Sequence, residues 1–516
     1  MTPETYNEET SENTYTGRPS GEMSLYTSSM NSSESNRYRL RMWVDEDYNP
    51  QGDGGNLEFS VQINVYGKDG DKMPVATGPA SEVLLSNIPE DNQYDDGTDT
   101  FITGEDPNNY IWYSGKLWRA VSVNNEAKTT KLVTQWNESV IEFSSGNSAF
   151  EESYMKEWLN DTSVDGFLGN LRDPDKFIVT DSVWDATMDD RDLGSITRPN
   201  ATTTVTDAVG LLNMYEYQSS NNGGTNGYLN NGLQWWTLTP YGTYDVCYIK
   251  STGATGYQNS SYIYYGIRPS INLKSGVRII DGIGTENDPY RLEGDSDTNL
   301  SGTLLSSRYS GEYITFGVGE NNLFRIVSHE DGTGTKIVSA EPLKDYGVFK
   351  TIAFDTNYNS DYSSMTTIGT FLNEEYLTSY VGNDYINFIE DSTTWYLGKV
   401  GDGRSYKLAK YIDTNMSGYA DSIEAKIGLL RYGELMSGQS DIGDSNGVYW
   451  MLTKVYARGG SIGLSYINEY SIMSATVYIG DIATKRNIRP SLNLKSNVVI
   501  TSGTGTKSDP FEIELQ

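Results

Sequence analysis

Residues 266–293 read GIRPSINLKSGVRIIDGIGTENDPYRLE, and residues 487–514 read NIRPSLNLKSNVVITSGTGTKSDPFEIE. Sixteen of the 28 aligned positions are identical, with no gap. Earlier blocks repeat in the same order: SEVLLSN (81–87) with SGTLLSS (301–307), LWRAVS (117–122) with LFRIVS (323–328), and EWLND (157–161) with TFLNE (370–374). VGLLNMYEY (209–217) then matches IGLLRYGEL (427–435), and WWTLTP (235–240) matches YWMLTK (449–454). Each unit spans about 215 residues, far beyond the roughly 20–50-residue periods of solenoid repeats. The expected organisation is one globular domain present twice, at 76–295 and 296–516, joined near GDSDTN.

Residues 1–37 are rich in Ser, Thr, Asn and Glu and are expected to be weakly ordered. YRLRMWVDED (38–47) and LEFSVQINVYG (57–67) alternate apolar and polar residues around a turn-rich linker. That is a β-hairpin signal. Two strands are marginal alone, so residues 38–75 are expected to form part of a small β-sandwich. The hairpin resembles the closing hairpin of secreted fibre-type β-sandwich proteins of Gram-positive bacteria.

Within the first unit, YIWYSGKLWRAVSVN (110–124) predicts a β-meander turning at Ser114-Gly115. Ser148 and Glu151 form an S-x-x-E capping box ahead of an apolar stripe, which predicts a helix over 149–160 facing the core. AVGLL (208–212) reads as a short buried strand, and Asn213 with Glu216 opens a second helix. WWTLTP reads as a strand, 241–265 as strands joined by turns, and GIRPSINL as a closing strand. Pro269 makes that strand an edge or a bulge.

The strings DPNNYIWYSGKLWRAVS, WTLTPY and YGIRPSINLKS…GxGTxxDPY together resemble a domain of unknown function found in exported proteins of low-GC Gram-positive bacteria. The element order resembles the layout shared by C-type lectin-like and formylglycine-generating-type domains. This implies an α+β fold: two tandem lectin-like domains, each with mixed, mostly antiparallel sheets and two short helices, behind the hairpin. Activity does not carry over, because the oxidase relatives use a cysteine pair and this chain has only Cys247.

The chain has 516 residues, with 70 acidic and 38 basic side chains and a formal net charge of −32. That balance opposes nucleic-acid binding, which needs clustered Lys and Arg, and docking on anionic lipid. No stretch is apolar for the roughly 18 residues that a membrane span requires. One cysteine and one histidine, Cys247 and His329, exclude an internal disulfide, a Cys-rich metal site and a multi-His metal site. No signal peptide is visible. An exported protein trimmed of its leader and anchor is expected over a cytosolic one.

No catalytic residue and no cofactor are expected. His329 aligns with Val123 in the first unit, and Glu216 and Glu434 occupy matching capping positions. Asp45, Asp47 and Asn49 begin like an EF-hand loop, but Pro50 stands where Gly is required. The expectation there is no dedicated metal site, and at most loose binding of a hard cation.

Tyrosines (39) outnumber phenylalanines (13) three to one. They concentrate before each IRPS strand, mixed with Ser, Gly and Asn, as in antibody binding loops. The ligand-contact candidates are Tyr241, Tyr244, Tyr257, Asn259, Tyr262 and Tyr264 in the first unit. In the second they are Tyr456, Arg458, Tyr466, Asn468 and Tyr470. The expectation is a secreted or surface-anchored, non-enzymatic, adhesin-like protein binding a glycan or a protein, with two copies adding avidity. A stalk or fibre subunit and a glycan hydrolase with paired carboxylates are the alternatives.

Overall fold

The computed structural model describes residues 76–188, 197–221, 224–262, 265–295, 300–329, 334–397, 399–400, 422–431, 434–435, 448–456, 462–467 and 473–516. Side chains are not described at 399–400 or between 454 and 480. The hairpin expected at 38–75 and Asp45, Asp47 and Asn49 lie outside the described residues. The described residues belong to one compact unit, Ala76–Gln516. That unit is a mixed α+β structure, mostly strands with few helices.

The meander forms as the sequence predicts. Strands β1 (Asp99–Ile102), β2 (Tyr110–Tyr113), β3 (Lys116–Asn124) and β4 (Thr130–Thr134) lie in one sheet. β2 and β3 turn through Ser114 and Gly115, both at positive φ, the geometry of a tight hairpin turn. β2 and β1 pair with successive parts of β3, and β4 pairs with its other edge. Trp112, Tyr113, Trp118, Val121 and Leu132 are buried.

The helices require one correction. Ser148 does not open the helix: its hydroxyl donates to the Gly242 carbonyl at 2.5 Å. The helix α1 is Tyr154–Asn160, and Ser153 caps it by accepting from the Lys156 amide at 3.0 Å. The second helix, α2 (Met214–Ser220), carries the expected capping box of Asn213 and Glu216.

AVGLL makes only a bridge, Gly210 to Ser270, because the Asn160 side chain takes both the N–H and the C=O of Val209. Strands β5 (Trp235–Pro240), β6 (Asp245–Ile249) and β7 (Thr255–Asn259) form a separate three-stranded antiparallel sheet. β8 (Ser270–Leu273) starts after Pro269 and is neither an edge nor the close of the unit. It lies between β4 and Gly210, and β9 (Arg278–Asp281) and β10 (Tyr290–Leu292) follow. β10 pairs with β2 in parallel, an arrangement that strand periodicity does not reveal.

The second half carries β11 (Tyr313–Thr315), β12 (Leu323–Ser328), β13 (Lys336–Ser339), helix α3 (Thr367–Asn373) and β14 (Ile427–Leu429). β15 (Tyr449–Tyr456), β16 (Ile462–Ile467), β17 (Met473–Tyr478) and β18 (Pro490–Asn493) follow.

Many contacts recur between the halves. Arg119 pairs with Val133 and Arg325 with Val338; Ser270 pairs with Val133 and Ser491 with Val338. The register shifts after Ala120 in one half and after Ile326 in the other. Asn160 grips Val209, and Asn373 grips Ile427 in the same way. A Cβ on Gly210 would meet the Trp184 ring at 2.4 Å, and one on Gly428 would meet the Trp395 ring at 2.6 Å. Each indole therefore lies on a bare backbone that only glycine supplies.

The halves meet at a joint. Trp112 and Tyr313 rings lie 6.0 Å apart, packed with Ala340 and the partly buried Leu117 and Leu323. A Cβ on Gly115 would meet the Ser310 carbonyl at 2.3 Å, and one on Gly311 would meet the Gly115 carbonyl at 2.1 Å. Asp295 is buried here, accepting from the Ser114 amide at 3.3 Å with Arg172 Nη1 at 3.9 Å. Arg308, paired to Glu312, also reaches the Asp295 carbonyl.

Burial, reinforced by the Glu312 charge, pushes the Asp295 carboxyl up to about 7. Between its ordinary value near 3.8 and about 7, the folded chain holds a proton that the unfolded chain has released. Stability from this group is therefore present in acid and lost as pH rises through 7. Asp295→Asn keeps an acceptor for Ser114 and removes the charge. Its stability relative to wild type should rise between pH 5 and pH 8 in urea titrations, and a pH-independent difference would contradict this. Gly428→Ala should cost about 1–3 kcal/mol by overpacking, measured by the same denaturation.

Candidate functional site

The Tyr-rich segment folds into β5, β6 and β7, with its aromatic residues in two layers. The lower layer is core: Trp235 and Trp236 are fully buried, and Trp236 packs edge-on against Tyr265 at 4.9 Å and Tyr248 at 6.3 Å. Tyr248 and Tyr265 stack at 4.0 Å. Burial first, then the Tyr248 hydroxyl, drives the Tyr265 phenol well above its ordinary value.

The upper layer reaches solvent. Tyr241 and Tyr257 lie parallel, ring centres 3.8 Å apart and planes within 4°. Tyr257 is still 52% exposed with one face covered, and Tyr244 is 60% exposed. Tyr262, 37% exposed, leans on Tyr265 at 5.2 Å. Asn259 builds the turn instead of presenting a free carboxamide: its Oδ1 accepts from the Ser261 amide at 3.1 Å and the Ser261 hydroxyl at 2.7 Å.

Five of the sequence candidates thus share one sheet and its loops: Tyr241, Tyr244, Tyr257, Asn259 and Tyr262. Tyr264, Arg458, Asn468 and Tyr470 lie outside the described residues. Tyr456 and Tyr466 lie on β15 and β16, where the backbone is described but the side chains are not; Tyr466 is in register with Trp450, as Tyr248 is with Trp236. Tyr248, Tyr265 and Trp236 support the surface rings and were not among the candidates. The signal for them was their position in the same Tyr-rich run, next to its buried strands.

The titratable candidates are absorbed by the core. Glu216 accepts from the Asn213 amide and from Lys131, whose ammonium sits 4.8 Å from the Trp184 ring centre. Glu434 accepts from the Arg431 amide and from Lys336, whose ammonium is 4.8 Å from the Trp395 ring centre. Burial alone would raise the Glu434 carboxyl, but Lys336 and Arg431 hold it down to about 2. A carboxylate held ionised in this way is a poor proton donor.

His329 is bonded through Nδ1 to Thr335 Oγ1 at 3.1 Å and through Nε2 to the Arg308 carbonyl at 2.6 Å, and burial lowers its pKa. Cys247 is buried on β6. Among the described residues, no group of three or more His, Cys, Asp or Glu side chains could hold a metal ion. Among them too, no helix is long and apolar enough to cross a membrane.

The Tyr-rich sheet, α1, α2 and β8 all fall within the span matched by one family model, residues 127–275. That segment is a domain of unknown function, DUF6273. No curated protein and no solved structure matches the chain. The DUF6273 span begins just before β4 and ends just after β8, so it leaves out β1, β2, β3, β9 and β10, which belong to the same sheet.

The two aromatic layers should be separable. Tyr257→Ala removes one exposed stack, worth about 0.5–1.5 kcal/mol. Trp236→Ala removes a buried indole, worth about 3–5 kcal/mol. Thermal unfolding of the two variants checks the contrast, and equal losses would contradict the layered description.

Proposed function

We propose that the chain is a secreted or cell-surface ligand-binding protein, adhesin-like and without catalysis. In this reading 76–295 and 296–516 are two copies of one domain with a C-type lectin-like layout. The ligand, a glycan or a protein on an opposing surface, meets the tyrosines of β6, β7 and their loops. The observation that carries the reading is the upper aromatic layer: Tyr241, Tyr244, Tyr257 and Tyr262 gathered on one sheet, with Tyr244 and Tyr257 more than half exposed.

Rigid tyrosines give large contact area at low entropic cost, and exposed aromatic residues otherwise cost solvation. Between Trp235 and Tyr262 the only charged residues are Asp245 and Lys250, so this face is neutral within a strongly acidic chain. Recognition there rests on stacking and hydrogen bonding, not on long-range attraction. The recurring contacts of the two halves support the duplication, and two linked sites would raise the residence time on a repetitive ligand.

The test is a binding screen of the full chain against glycans and cell-surface proteins, repeated with Tyr244→Ala/Tyr257→Ala. The expected result is a ligand whose affinity falls at least tenfold in the variant, as for truncated aromatic anchors, with little response to salt. Silence from the folded wild type, or unchanged binding by the variant, would overturn the reading.

A further inference from the structure

Two arginines are buried in the first half, and no buried carboxylate is paired with either among the described residues. Arg268 is wholly buried and Arg119 is 2% exposed. Arg268 donates from Nε to the Thr134 carbonyl at 2.8 Å and from Nη1 to the Leu229 carbonyl at 2.6 Å, and its Nη2 finds no acceptor. Arg119 donates from Nη2 to the Pro107 carbonyl at 3.2 Å, and its Nε finds none.

The guanidinium of Arg119 lies 3.6 Å from the Tyr110 ring centre and 4.7 Å from that of Tyr228. Tyr228 adjoins Leu229, which holds Arg268. The indole under Arg268, Trp235 at 4.8 Å, is also a buried donor with no acceptor at Nε1. Among the described residues, the only carboxylate within ion-pair range of either is Asp106, 3.8 Å from Arg119 Nη2, and its side chain is 82% exposed.

Burying one unpaired cation is costly, and burying two side by side compounds the cost. Carbonyl dipoles and ring faces offset part of it. Burial and then the charge of Arg119 pull the Arg268 guanidinium down to about 9, so the two cations feel each other. The second half shows how the same frame is completed by protein acceptors. Arg489 places Nε, Nη1 and Nη2 on the Ser339 carbonyl, the Tyr449 hydroxyl and the Ala340 carbonyl. Arg325 reaches the Gly311 and Gly115 carbonyls. Arg119 Nε and Arg268 Nη2 are therefore buried donors without an acceptor, whereas no guanidinium nitrogen of Arg325 or Arg489 is.

We propose that the first half binds one small monovalent inorganic anion, of halide or nitrate size, between Arg119 and Arg268. The anion accepts from Arg119 Nε and Arg268 Nη2 and neutralises part of the buried charge. It is enclosed, so it acts as a structural counter-ion that stabilises the sheet bearing β3, β4 and β8.

The test uses the full chain. Crystals soaked in bromide should show an anomalous peak within hydrogen-bond reach of Arg119 Nε and Arg268 Nη2. Replacing gluconate by bromide or chloride at constant ionic strength should raise the wild-type Tm and then saturate, as for a ligand of the native state. Arg268→Gln should lose that response, and Arg489→Gln should lower stability but keep it. Should Arg268→Gln fail to fold, the bromide peak and the wild-type titration decide between the outcomes. No peak, a water in its place, Asp106 turned inward onto Arg119, or an equal halide response in a folded Arg268→Gln would each overturn the proposal.

Discussion

The structure depends on seating β8 beside β4. The two strands are joined late in the chain's order, across more than a hundred residues, and two side chains set their register. Ser270 donates its hydroxyl to the Leu132 carbonyl at 2.7 Å, and Arg268 donates to the Thr134 carbonyl. A slip of one residue would exchange the faces taken by Ile271 and Leu273 with those taken by Ser270 and Asn272. With β8 seated, its far edge takes Gly210, which places the Trp184 indole and the start of α2, and the chain before β8 is left to fold as the Tyr-rich sheet. The matching bonds of Ser491 to Ile337 and Arg489 to Ser339 place Gly428 and Trp395 in the second half.

From that seating follows the separation of stability from recognition. Two matching polar contacts, Lys131 with Glu216 and Lys336 with Glu434, lie largely inside, where they hold helix starts against the sheet. Leaving either partner alone would strand a buried charge. They are structural even though paired carboxylates and lysines are common catalytic types. Of the tyrosines on this sheet and its loops, Tyr241, Tyr248 and Tyr265 pack against the core, whereas Tyr244 and Tyr257 are more than half exposed.

Local features were legible in the sequence because local geometry determines them. Ser114-Gly115 gives a hairpin turn, Asn213 and Glu216 a cap, and WWTLTP a buried strand. Ser148 misled because a capping box is only a pattern: Gly242, nearly a hundred residues away, competes for its hydroxyl, and Ser153 serves the helix instead. The same limit hid the parallel pairing of β10 with β2, the interior place of β8 and the joint around Asp295, all set by contacts between distant segments. At the candidate site, clustering of Tyr with Ser, Gly and Asn marked a stretch that folds as one three-stranded sheet with exposed tyrosines. It could not tell Tyr257, which is exposed on the outer strand β7, from Tyr248, which is packed on the central strand β6 in register with the buried Trp236, because strand order is set by pairing between segments. Asn259 looked like a contact residue and is a turn former, a role its side chain chemistry favours equally.

The central claim is that the tyrosine face of β6 and β7 is where this protein meets its ligand. Hydroxyl-radical footprinting of the full chain, free and with a ligand found in the binding screen, measures this directly. The account predicts protection at Tyr244, Tyr257 and Tyr262 on binding, with Trp236 and Tyr248 silent in both states. Protection that falls elsewhere while these three tyrosines stay equally reactive would contradict it.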